Sequence, residues 1–139
     1  MSYTPKLWRL EGTIPANSPA GTMVDLDVYI PDILAGTEKK YAEVQLNYSF
    51  KISDGYAKSA PTTDWQLIII ANDGQKIFQS VPVSQVVMEA GKPRSPLFVM
   101  NGKPMRILVR PNTKLKFRAR TLAKAGSSDE SISLILKID

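Results

Sequence analysis

The sequence predicts an all-β chain: a single-domain antiparallel β-sandwich of about eight strands spanning residues 1–139. Three observations carry that prediction. Apolar side chains recur at every second position in several separate stretches, turn-forming residues stand between those stretches, and only residues 31–35 and 84–90 leave room for a helical turn or two. Ten prolines spread along the chain fit the same picture, which sandwiches, barrels and jelly rolls share.

The first candidate strand is KLWRL, near the N-terminus. From Met23 to Ile30, Val24, Leu26, Val28 and Ile30 fall on one face of an extended chain, with Asp25 and Asp27 on the other. The alternation is cleaner from Tyr41 to Ile52, where Ala42, Val44, Leu46, Tyr48, Phe50 and Ile52 share a side. A polar loop follows, SDGYAKSAPTTD, Ser53 to Asp64. Trp65 to Ala71, WQLIIIA, has the β-branched run of a central strand. Asn72-Asp73-Gly74 then turns the chain tightly into Gln75 to Val83.

Asn101-Gly102 marks a second hairpin between PLFVM and KPMRILVR, with Pro104 pointing to an edge or a bulge. The turn Arg110-Pro111-Asn112-Thr113 feeds a strand in which Lys114, Lys116, Arg118 and Arg120 alternate with Leu115, Phe117, Ala119 and Thr121. One face of that strand belongs to the core and the other is cationic. After the loop AKAGSSDE, Ile132, Leu134, Leu136 and Ile138 form the last inward row.

Composition limits the chemistry. The chain has no cysteine and no histidine, so the disulfide scaffold, the thiolate or imidazole metal site and the common nucleophile dyads are all absent. Asp25 and Asp27 share a face and could hold a hard cation or act as an acid/base pair, but a solvated face, or one opposing bases on a neighbouring strand or subunit, is the plainer expectation. The eight glycines are isolated, with no phosphate-cradling loop among them. Neither catalysis, nor a cofactor, nor a metal is expected. The longest uninterrupted apolar stretch, Leu67 to Ala71, is too short to span a bilayer, and MSYTPKLWRLEG lacks a signal-like apolar run.

Net charge is +5, unevenly placed: residues 90–128 contain ten basic residues and no acid. Such asymmetry bears on partners. The cationic strand has three readings. It could track nucleic-acid phosphates, although Phe117 points away from the charges and leaves no stacking aromatic beside them. It could be a solvated face or a protected edge strand. It could be a protein interface, in which Asp25, Asp27, Glu38 and Glu43 of one copy meet the basic strand of the next. Trp8 or Trp65 as a sugar platform is a fourth, separate reading.

The stretch SPLFVMNGKPMRILVRPNTKLKFRARTLAKAGSSDESISLILKI, Ser95 to Ile138, resembles the closing strands of small jelly-roll capsid proteins, the penton or vertex proteins of tailless, membrane-containing phages. The shared elements are a hydrophobic strand ending at a proline turn, a basic-and-aromatic strand, a glycine/serine loop and a final aliphatic strand. The resemblance implies a jelly-roll-like virion protein of capsid, penton or cement type, made in the host cytoplasm and acting without catalysis. It implies a homo-oligomer, a pentamer among the options, in contact with other capsid proteins. Lys114, Lys116, Arg118 and Arg120 would then meet protein, genome or lipid headgroups. Loops such as Pro15 to Thr22 and Ala57 to Thr63 would be free to touch neighbours.

Overall fold

The computed structural model describes residues 6–32, 36–57, 63–72, 74–80, 82–83, 99–100 and 103–139. Eleven strands run through them: β1 (Lys6–Ile14), β2 (Met23–Asp32), β3 (Thr37–Tyr41), β4 (Phe50–Ala57), β5 (Trp65–Ala71), β6 (Gln75–Gln79), β7 (Val99–Met100), β8 (Lys103–Pro104), β9 (Ile107–Val109), β10 (Leu115–Thr121) and β11 (Glu130–Ile138). There is no α-helix among the described residues.

All pairings are antiparallel, and the main path runs β6-β5-β10-β2-β1-β11-β4-β9, with β3 added on β2 and β7–β8 forming a separate ladder. Leaving out β3, β7 and β8, the other eight strands nest. First pairs with last (β1–β11), second with seventh (β2–β10), third with sixth (β4–β9) and fourth with fifth (β5–β6). That nesting is jelly-roll-like. It creates two four-strand halves, β1-β11-β4-β9 and β2-β10-β5-β6, which remain hydrogen-bonded to each other through β1 and β2.

A single core lies between the halves. It takes Trp8 and Leu10 from β1, Leu26 and Val28 from β2, Ile52 from β4, Leu67 and Ile69 from β5, Phe117 from β10 and Leu134 and Leu136 from β11. Burying each such side chain contributes about 1.5–3 kcal/mol, so the period-two rows are what hold the sheet in this register. Trp8 stacks at a tilt on Phe50, with ring centroids 5.1 Å apart.

β2 is shared by both halves. Met23–Leu26 pairs with β10, while the stretch from Val28 to Asp32 pairs with β3 along the same edge, and Asp27 to Tyr29 pairs with β1 on the other. As β2 peels off β1 its backbone passes over Gly12. A Cβ there would lie 2.5 Å from Leu26 Cδ2 and 3.2 Å from the Asp25 carbonyl oxygen, so the crossing needs glycine.

Several expectations change. The strand expected from Tyr41 to Ile52 is two strands, β3 ending at Tyr41 and β4 beginning at Phe50. Between them the chain leaves the edge of β2 to cross to the other half. It is held on the way by the Val44–Leu115 bridge and by the Asn112 N–H donating to the Leu46 carbonyl at 2.6 Å. Val44 is buried as its parity requires, whereas Tyr48 turns outward because no ladder fixes it. Ser53 to Ala57, expected as loop, belongs to β4 and pairs with β11; Ser53 sits in a bulge that breaks the alternation.

The strand expected from Gln75 to Val83 ends at Gln79. Pro31 and Asp32 lie in β2, and the rest of the helical turn expected over 31–35, like the one over 84–90, falls outside the described residues. The Asn101-Gly102 loop also falls outside them, although Val99 and Met100 pair with Pro104 and Lys103 as that hairpin requires.

The loop Pro15 to Thr22 is anchored to the rest of the fold, while Pro15, Asn17, Pro19, Ala20 and Gly21 stay exposed. Asn17, in the left-handed region at φ 61, donates its N–H to the Gly126 carbonyl at 2.8 Å, and Ala125 N–H donates to Ser18 at 2.8 Å. Buried Thr121 closes the same latch: its hydroxyl donates to Pro19 O at 2.9 Å and accepts from Thr22 N–H at 2.9 Å. Of the second loop expected to be free, Ala57 is buried at the end of β4 and residues 58–62 lie outside the described residues.

Candidate interaction surface

β10 alternates as its sequence predicts: Leu115, Phe117, Ala119 and Thr121 are buried, and Lys116, Arg118 and Arg120 project from the outer face. Lys114 lies one residue before the strand, tied to the β5–β6 turn. Its N–H donates to Asn72 Oδ1 at 3.0 Å, and Asn72 N–H returns a bond to its carbonyl at 3.1 Å. Gly74, at φ 84, supplies the left-handed residue that this turn needs.

The strand is interior, paired with β5 on one side and β2 on the other, so its bases do not guard an edge. β10 is central because it is the partner of both β2 and β5, a consequence of the nesting. Trp8 and Trp65 are fully buried, which removes the sugar-platform reading. Phe117 is buried too, so no base can stack on it beside the cationic row.

The acids expected to face a neighbouring copy sit on bases of the same chain. Arg118 Nε donates to Asp25 Oδ1 at 2.7 Å, Lys116 Nζ lies 3.3 Å from Glu43, and Lys40 Nζ lies 3.4 Å from Asp27. Glu38 and Glu11 both bind Arg9, whose guanidinium also covers the Tyr29 ring at 4.1 Å. The Glu38 bond, helped by Glu11 and opposed by burial, raises the Arg9 pKa above its usual value. The outer face is therefore a charge mosaic. Among the described residues, Lys114 and Arg120, at the two ends of the row, are its bases without an ion pair.

A shallow groove of about 250 Å³ lies where β10 begins, lined by Ile70, Asn72, Lys114, Lys116, Arg118 and Glu43. Its charged groups are three cations and one carboxylate, with the Asn72 amide beside them, an arrangement that attracts an anion by charge. Among the described residues no three acidic side chains converge as metal ligands, and Asp25 and Asp27 are each engaged by a base. No described helix is long and apolar enough to cross a membrane.

Sequence reasoning missed a second cationic strand. Arg106, Leu108 and Arg110 project outward around β9 while Ile107 and Val109 are buried. The signal was present in RILVR, but three strand residues are too few for the alternation to stand out. No protein-family model matches the chain, and no curated protein does either.

Proposed function

We propose that this chain is a non-enzymatic structural protein of a viral or phage particle, of capsid, penton or cement type, assembling through symmetric contacts between β-domains. The observation that carries this reading is the eight-strand nesting around one core, which joins the resemblance of Ser95 to Ile138 to the closing strands of such proteins. The pinned Pro15 to Thr22 loop and the bonded outer face suit a rigid building block. The absence of histidine and cysteine supports a role without catalysis. On this reading it is made in the host cytoplasm, resides in the virion and contacts copies of itself and other capsid proteins.

Mass measurement of the purified chain by light scattering and native mass spectrometry tests the proposal. A closed ring, five copies among the options, is the expected result; a monomer that also fails to co-sediment with particles overturns it.

A second reading, a domain that tracks nucleic-acid phosphates, is favoured only by the unpaired Lys114 and Arg120. It predicts binding to DNA or RNA that falls steeply with salt. Asp25 and Glu43, seated between those cations, oppose a phosphate chain lying along the row.

A further inference from the structure

We propose that the outer edge of β9 accepts an extended acidic segment of a different protein as an added β-strand. This inference does not depend on the particle reading. It starts from where the hydrogen-bonded path stops: among the described residues, β9 pairs with β4 on one side and ends the order on the other. A terminal strand offers main-chain donors and acceptors to an incoming chain.

The side chains select the occupant. Arg106, Leu108 and Arg110 alternate along the outward face, and Lys51 of β4 stands directly opposite Leu108. Arg106 and Arg110 make no ion pair among the described residues, in contrast to Arg118 and Lys116 on β10. Alternate residues of a strand are about 6.6–6.8 Å apart, so carboxylates at every second position of an added strand meet these arginines in register.

Charged residues on a short edge are also a known guard against unwanted pairing. Leu108 separates the two cases. It is 61% exposed, the most exposed of the large hydrophobic residues among those described, and stands at the centre of the edge. A guard needs no leucine in water, whereas a docking strip uses an apolar contact framed by charge.

The partner is not a second copy. The stretch here with acids at alternate positions among apolar residues, Asp25 and Asp27, lies inside β2, whose two edges are already paired. Copies of the cationic strip repel each other, and a partner chain rich in carboxylates does not.

The test uses the purified whole chain and a fluorescein-labelled ten-residue peptide that alternates glutamate with valine, followed by anisotropy at low salt. Two further peptides carry N-methyl groups on either the odd or the even amides. An added strand bonds through amides on one side only, so one methylated peptide should lose binding and the other keep it. The double reversal R106E/R110E should weaken the unmethylated peptide by about tenfold or more, equivalent to about 1.4 kcal/mol. K114E/R120E, with the same change in net charge, should shift binding far less.

Four results overturn the proposal: no binding of the glutamate peptide, equal binding of the two methylated peptides, equal loss in the two reversal variants, or tighter binding of a ten-nucleotide single-stranded DNA. Circular dichroism of each variant confirms that a loss of binding is not a loss of fold.

Discussion

Arg118 and Asp25 stand directly opposite each other in the β10–β2 register, with Arg118 Nε donating to Asp25 Oδ1 at 2.7 Å. The cationic strand thus carries its counter-charge within one chain. The Asp25 side chain is 77% exposed, so water and salt screen the pair. A double-mutant cycle with R118A and D25A should give a coupling of about 0.2–1 kcal/mol that shrinks as salt rises. A coupling of several kcal/mol, insensitive to salt, would contradict this surface placement.

Gly12 lies under β2 with no room for a side chain. G12A should destabilise the fold by about 1–3 kcal/mol, because either Leu26 or the β2 backbone must move. Urea unfolding measures this. Wild-type stability in G12A would mean that β2 does not cross there.

The two faces of β10 should respond differently to truncation. F117A empties a fully enclosed core position and should cost about 3–5 kcal/mol. K116A removes an exposed ion pair and should stay within about 0.5–1 kcal/mol of wild type. Comparable losses in thermal or urea unfolding would reverse the assignment of inside and outside.

Thr121, at the end of β10, ties down the Pro15–Thr22 loop through its hydroxyl. T121V keeps the volume but loses both side-chain bonds, leaving Thr22 N–H and Pro19 O without that partner. The cost should be about 1–3 kcal/mol, and hydrogen exchange should accelerate at Gly21 and Thr22 first. Uniform exchange across the domain would show that the latch is not local.

Both tryptophans are enclosed, so emission should be blue-shifted and resistant to iodide quenching, unchanged by added oligosaccharides. Ready quenching would restore the sugar-platform reading.

How much of this was legible depended on whether an element has a face in the core. β10 could be bounded from the chain alone because its inward row is apolar at every second residue, and β5 because its run of aliphatic residues is buried on both faces. β3, TEKKY, could not, since it is an edge strand with no fully buried residue and hence no apolar row. The second half of β4 was hidden by the bulge at Ser53, which shifts the parity of a polar stretch. The alternating bases were plain, but their pairing was not. Arg118 and Asp25 are 93 positions apart, and only the strand order brings them together.

The ladder between β1 and β11, which runs from Lys6↔Ile138 to Ile14↔Glu130, has a kinetic consequence. Among the described residues the longest ladder joins β1 to β11, so during synthesis β1 has only its short pairing with β2 until β11, far along the chain, leaves the ribosome. Loop closure over that separation is entropically costly, which favours slow folding and a late, all-at-once commitment. A nascent chain stalled before residue 130 would present the apolar flank of β1 to chaperones.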